Sequence, residues 1–337
     1  MTSTAKPHDP AVTARLFLRM TLGAVATTFL MIVIGAVTRV TESGYGCGPY
    51  WPSCNGHIIP EFEDVTVVIE YGHRLFALIV GFFAIGVSLM AWRNYRAQPL
   101  LFTPAMLGVG LFFLQSAIGA LTVVIYTQAA HWISVMIHLG NSMFLLAAFI
   151  VLYVNGRRVL LPQAAPRTPR FYIPPLQLVL ATTLSFMVAM VGAAVAGQSA
   201  TKACVGYPLC SGEIFPFSQG APQMVHMLHR LIAGALGILL VMMLWQARTD
   251  VSLSLRRALQ SAFAIYLAQA VLGASIVLID DRDWLVIARS LHVFFAAATW
   301  AAMIAASTYA WLQRLPNDRT TLAQPPLDVV RSATTSN

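Results

Sequence analysis

Charged residues are scarce in this chain. Only 10% of its 337 residues are Asp, Glu, Lys or Arg, whereas 58% are hydrophobic. Soluble globular domains contain about 25% charged residues, so this composition excludes an ordinary soluble enzyme. Strongly apolar chains are typical of the membrane, where a helix of roughly 20 apolar residues spans the hydrocarbon core. A polytopic membrane protein is therefore predicted.

Eight apolar runs are long enough to cross a bilayer as helices. They cover residues 16–38, 67–91, 100–125, 132–154, 173–196, 222–246, 257–279 and 285–312. The runs lack the regular alternation of membrane strands, which argues against a barrel. The predicted fold is therefore all-α, with eight transmembrane helices.

The net charge of +8 is explained by the membrane and does not require a nucleic-acid partner. Most Lys and Arg residues lie in the two tails and in the second-to-third, fourth-to-fifth and sixth-to-seventh connections. The positive-inside rule makes these segments cytoplasmic. Both termini are then predicted to be cytoplasmic, and the acidic connections to lie on the outer side.

Cysteine is also rare, and all four cysteines fall in the outer connections. They form two close pairs, Cys47 with Cys54 and Cys204 with Cys210. Close pairs in an oxidising compartment favour two local disulfides, each of which stabilises the fold by roughly 2 kcal/mol. Metal binding by each pair is the alternative.

The chain repeats itself with a nearly constant spacing. Trp51-Pro52-Ser53-Cys54-Asn55-Gly56 aligns with Tyr207-Pro208-Leu209-Cys210-Ser211-Gly212, and the run from Gln115 to Ala120 matches the run from Gln269 to Ala274. Four helices per copy give both copies the same membrane orientation, so two tandem pseudo-symmetric four-helix bundles are predicted. The predicted segments are a cytoplasmic tail 1–15, an N-terminal half 16–161, a cytoplasmic linker 162–172, a C-terminal half 173–312 and a cytoplasmic tail 313–337.

Four histidines occupy matching places in the even-numbered helices. His73, His138, His229 and His292 each lie about 10 Å along their helix from its outer end. A single histidine in a membrane helix is usually a packing residue, but two facing imidazoles in a four-helix bundle are a common haem site. Zinc would require four ligands in each half. We therefore predict two haem sites, His73 with His138 and His229 with His292.

The halves differ three residues before the first histidine of each pair, where Glu70 in the first half corresponds to His226 in the second. On a helix, Glu70 shares a face with His73, so it is a candidate proton acceptor or stabiliser of positive charge. A salt bridge from Glu70 to Arg39 or Arg74 is the alternative. Arg74 and Arg230 follow a histidine directly and could contact haem carboxylates, or extend to the membrane interface.

Together these motifs resemble the haem A synthase family. The likeness covers residues 16–312 and includes Glu70-x-x-His73-Arg74, His138, the Cys47 to Cys54 loop, His229-Arg230 and His292. The resemblance implies that His73 and His138 bind haem O as substrate, that His229 and His292 ligate a haem b cofactor, and that Glu70 is the essential carboxylate. It also implies two oxidations of the ring-position-8 methyl of haem O and loss of water, which give the formyl group of haem A.

The resemblance also implies a setting for the reaction. A bacterial cell membrane is expected, with haem O synthase as substrate supplier, an electron donor such as ferredoxin, terminal oxidase assembly as recipient, lipid contacts and a possible homo-oligomer. Two other functions remain open at this point, a non-catalytic dihaem cytochrome b and a haem exporter. In both alternatives the haem side groups would stay unchanged.

Overall fold

The computed structural model describes residues 9–126, 131–161, 173–248 and 251–315, and within these ranges the regular structure is helical. The predicted linker 162–172 and most of both predicted tails lie outside them. Within the described ranges, eight helices are long and apolar enough to span a membrane. They are α1 Pro10–Val40, α2 Val65–Asn94, α3 Pro99–Val124, α4 His131–Leu160, α5 Pro175–Gly197, α6 Ala221–Gln246, α7 Leu253–Leu278 and α8 Arg282–Leu312.

Several helices extend beyond the apolar runs that predict them. The helix α1 begins at Pro10 and not at residue 16, because Asp9 accepts a hydrogen bond from the Ala11 N–H at 2.8 Å and Pro10 suits a first helical position. The helix α7 begins at Leu253 after Ser252, whose hydroxyl accepts from the Leu255 N–H. Capping by polar side chains therefore sets these ends, whereas hydropathy sets only the middle of each span.

The helices form two closed four-helix units. In the first, α1 packs on α2 and α4, while α3 also packs on both; α5, α6, α7 and α8 repeat this arrangement in the same order. The units meet through α1 with α8, α4 with α5 and α4 with α8. A two-fold operation that exchanges the halves maps these contacts onto each other, as expected for a parallel repeat. The predicted all-α fold with two tandem bundles is confirmed.

Apolar packing and one buried hydrogen bond join the two units. Trp300 in α8 donates from its indole N–H to the Met143 carbonyl in α4 at 2.8 Å. Its ring lies against Phe186 in α5, with centroids 5.5 Å apart, and Phe186 packs on Phe144 in α4. Since van der Waals packing and interhelical hydrogen bonds drive helix association in lipid, this cluster holds the halves together.

The long connections between α1 and α2 and between α5 and α6 have the same local structure. A disulfide joins Cys47 to Cys54 in the first and Cys204 to Cys210 in the second. Each second cysteine forms an antiparallel bridge three residues on, to His57 or Glu213. The predicted disulfides are confirmed, and the metal-binding alternative is wrong because the sulfurs are bonded to each other. We name the connections 41–64 and 198–220 the first and second disulfide loops.

We expect none of the four cysteines to react with iodoacetamide when the protein is denatured without reductant, because every sulfur is in a disulfide. Mass spectrometry of the alkylated chain measures this directly. A sample reduced before alkylation is the control and should gain a label on all four cysteines. Alkylation of Cys47 or Cys54 in the unreduced sample would contradict the pairing.

Candidate functional site

A continuous cavity of about 1220 Å³ lies between the two halves. Its wall includes all four predicted ligands, His73, His138, His229 and His292. Sites for single small molecules usually have volumes of about 300–1,000 Å³, so this space exceeds the usual requirement of one ligand. The four histidines therefore border a common interior space.

The two histidine rings of the second half lie at a separation that one metal ion could bridge. The rings of His229 and His292 lie 6.3 Å apart between centroids, with 63° between their planes. Two imidazoles that share a metal through bonds of about 2 Å have centroids roughly 6 Å apart. The pair therefore fits a haem iron held between α6 and α8.

Hydrogen bonds to the backbone hold both second-half rings. The Nδ1 atom of His229 lies 3.0 Å from the Val188 carbonyl oxygen, and Nδ1 of His292 lies 3.0 Å from the Gln269 carbonyl oxygen. A carbonyl can only accept, so each Nδ1 carries the proton and Nε2 is left with its lone pair. This second-shell arrangement is typical of metal-binding histidines.

A glycine of the preceding helix faces each of the four imidazoles. A methyl group at Gly119 or Gly273 would lie 3.1 Å from the nearest ring atom of His138 or His292. At Gly192 the distance to His229 would be 2.9 Å, and at Gly35 the distance to His73 would be 3.4 Å. The glycines thus leave room for the rings. Sequence reasoning used these residues only as repeat landmarks and missed the contact.

The first-half pair is held less firmly. Among the described residues, none is within hydrogen-bonding reach of the buried Nδ1 atom of His138. Polar contacts nearby hold the backbone instead: Gln115 donates to the His138 carbonyl at 3.0 Å, and Asn141 donates to the Gln115 side-chain oxygen at 2.7 Å. The first half therefore fixes the helix position and leaves the ring more freedom to rotate than its counterpart has.

Glu70 is buried in the cavity wall, with 4% of its surface exposed. One carboxylate oxygen accepts the Cys47 N–H at 2.8 Å, and the other forms an ion pair with Arg74 at 2.5 Å. Of the two partners considered from the sequence, the structure therefore selects Arg74 over Arg39. The carboxylate links the first disulfide loop to the helix that bears His73.

Arg74 and Arg230 hold the disulfide loops. Arg74 donates to the Tyr50 and Ser53 carbonyls at 2.8 and 2.6 Å. Arg230 donates to three carbonyls of the second loop at 2.9–3.1 Å, those of Gly206, Pro208 and Leu209. Both side chains also line the cavity. The predicted contact with haem carboxylates therefore stays a prediction, beside a loop-holding role that the sequence did not reveal.

His226 holds the second disulfide loop against its helix, as Glu70 holds the first. It is buried, and its Nδ1 donates to the Ala200 carbonyl at 3.0 Å. Its Nε2 lies 3.4 Å from the Arg230 guanidinium. The second loop is thus tied down without a carboxylate, so only the first half has an acidic group at this place.

Comparison with known proteins gives a consistent result. Residues 18–304 match the COX15-CtaA family model, described as cytochrome oxidase assembly protein. A haem A synthase of Alkalihalophilus pseudofirmus is 29% identical over 297 residues, covering 85% of this chain and 97% of that protein. A haem A synthase of Shouchella clausii is 31% identical over 263 residues, covering 76% and 86% respectively. A protohaem IX farnesyltransferase of Thermus thermophilus is 28% identical over 300 residues, which cover 86% of this chain and 47% of that protein.

We expect Gly192→Ala to weaken haem retention by the His229–His292 pair about tenfold, because the new methyl group displaces a ring that the metal needs in place. The substitution raises helix propensity, so a lower helix stability would not explain the loss. Absorbance titration of the low-spin haem in purified protein measures it. Gly110→Ala is the matched control, since its methyl group would meet nothing within 4 Å. Equal haem retention in both variants would contradict the proposed ring constraint.

Proposed function

The chain belongs to the COX15-CtaA family of cytochrome oxidase assembly proteins, and from that premise we propose how its two halves divide the work of a haem A synthase. The activity is that of a haem-dependent membrane oxidoreductase that converts haem O to haem A. The single observation on which our division rests is that four histidines border one cavity, where the rings of His229 and His292 are hydrogen-bonded through Nδ1 and the Nδ1 atom of His138 has no partner among the described residues.

His229 and His292 are the ligands of a resident haem b in this proposal. Their 6.3 Å ring separation fits one iron, and both Nδ1 atoms are engaged by helix carbonyls. A cofactor that stays through many turnovers benefits from ligands with a fixed tautomer and orientation. When bound there, haem b supplies one-electron transfer to the substrate site.

His73 and His138 bind the substrate haem O. A substrate must enter and leave, so ligands with more rotational freedom suit it better than fixed ones. The His138 ring, whose Nδ1 has no partner among the described residues, meets that requirement. The glycines Gly35 and Gly119 keep the space beside both rings open.

Glu70 is the proposed catalytic carboxylate. The reaction oxidises the position-8 methyl of haem O in two steps, each of which removes two electrons and replaces one C–H bond by a C–OH bond whose oxygen is supplied by O2 or water. The resulting geminal diol loses water to form the formyl group. Proton release and developing positive charge at that carbon both favour a nearby carboxylate. Glu70 lines the cavity on the same helix as His73, while its bonds to the Cys47 N–H and to Arg74 hold it in place.

The protein is a multi-pass membrane protein, and we propose that both termini face the cytoplasm of a bacterial cell while the disulfide loops face outward. A haem O synthase is the proposed supplier, which the similarity to a protohaem IX farnesyltransferase supports. We further propose a ferredoxin-like electron donor and delivery of haem A to terminal oxidase assembly.

Analysis of pigment extracted from the purified protein tests the activity. We expect haem O, haem A or a hydroxylated intermediate beside haem B, identified by mass. In His229→Ala we expect the low-spin haem B signal to fall about tenfold or more, because one of its two ligands is gone. Haem B alone in the wild type would favour an electron-carrying cytochrome b, and an unchanged spectrum of the variant would contradict the ligand assignment.

We expect Glu70→Gln to lower haem A formation about 100-fold, because the amide cannot accept a proton or stabilise positive charge. The amide oxygen can still accept the Cys47 N–H, so the first disulfide loop should stay in place. Turnover in membranes supplied with haem O measures the effect. Retained low-spin haem B in the same sample is the folding control, and wild-type turnover would remove Glu70 from the mechanism.

A further inference from the structure

A second opening lies on the outside of the first half, between α1 and α2. It is an apolar groove of about 370 Å³ that we name the α1–α2 groove. Its lining residues are Val33, Ile34, Val37, Val68, Ile69, Gly72, His73 and Phe76. His73 also lines the central cavity, so the same imidazole borders both spaces. The His73 ring therefore lies between the proposed substrate site and the groove on the outer surface of the helices.

Gly72 keeps this groove open. The residue is exposed, and a methyl group built on it would meet nothing within 4 Å. It lies inside α2 with ordinary helical backbone, so neither a tight helix contact nor a left-handed conformation requires glycine there. Glycine is a poorer helix residue than alanine. The effect of having no side chain at Gly72 is therefore to leave the groove empty at this position.

The repeat supplies an internal comparison. At the spacing of 156 that relates His73 to His229, Gly72 corresponds to Leu228 in α6. Leu228 is 47% exposed and carries a large side chain at the position where α2 has Gly72. Val68, Ile69 and Phe76 correspond to Met224, Val225 and Ile232, which are also apolar. The compared positions are therefore apolar in both halves, and the largest difference in side-chain size among them is that between Gly72 and Leu228.

We propose that the α1–α2 groove binds the prenyl chain of the substrate haem. The inference rests on the proposed function, in which the first half binds haem O. A farnesyl chain on haem is the modification named in the farnesyltransferase that resembles this chain. A porphyrin bound at His73 needs an apolar exit for such a chain, and the groove begins at that residue. Haem b has no prenyl chain, which agrees with Leu228 in the second half.

The test compares haem O with protohaem, which differs in lacking the prenyl chain. The full-length protein in nanodiscs is assayed as wild type, Gly72→Leu and Leu228→Gly. We expect Gly72→Leu to raise the KM for haem O about tenfold, because a leucine side chain takes the space of several methylene groups. Protohaem binding to the first half and the low-spin resident haem should stay as in wild type. Leu228→Gly is the control and should leave the KM for haem O unchanged.

Three results would overturn the proposal. An unchanged KM for haem O in Gly72→Leu would show that the chain lies elsewhere. An equal loss of haem O and protohaem binding would show that the leucine acts on the His73 ring. Wild-type protein that fails to convert haem O would overturn the proposed function itself, whereas in the first two cases wild-type conversion is intact.

The alternative occupant of this groove is the acyl chain of a membrane lipid. A phospholipid with a photoactivatable acyl chain distinguishes the two. We expect haem O to suppress cross-linking at Val68 and Ile69, while protohaem leaves it unchanged. Cross-linking that persists at saturating haem O would assign the groove to lipid and contradict the proposal.

Discussion

An imidazole inside a bilayer must find partners for both ring nitrogens, and this requirement organises the protein. Polar groups are costly in the hydrocarbon region, so they face an interior and pair there. In the second half, helix carbonyls of Val188 and Gln269 engage Nδ1 of His229 and His292, and a shared metal can take the other nitrogen. In the first half His138 lacks the corresponding partner. In our proposal, the same helical frame thus offers one pair of ligands for a resident haem and one pair for the substrate haem.

The repeat allows equivalent positions of the two halves to be compared directly. Glu70 and His226 stand at equivalent positions, and both tie a disulfide loop to the helix beneath it. Only Glu70 adds a negative charge. Gly72 and Leu228 also stand at equivalent positions, where the glycine leaves space and the leucine supplies a large side chain. The carboxylate of the first half and the large leucine side chain of the second are therefore single-residue differences on a common helical scaffold. That scaffold keeps the depth and the proposed pairing of the histidines unchanged.

Hydropathy and spacing were enough to predict the eight helices, the two bundles and the two disulfides, because membrane thickness and the repeat constrain them strongly. The contacts that shape the site were not predictable in this way. Arg74 was placed near haem carboxylates from its position after His73, yet it donates to carbonyls of a loop that folds back over the helix. The contact between each imidazole and the glycine beneath it depends on how neighbouring helices rotate and cross. Periodicity along one helix contains no information on that rotation.

The bond from the Cys47 N–H to Glu70 ties the reactive carboxylate to a cysteine that is itself cross-linked to Cys54. A newly inserted chain with free thiols has no cross-link to keep this loop folded, and its buried carboxylate then depends on Arg74 alone. The position of the Glu70 side chain is thereby coupled to the redox state of Cys47 and Cys54.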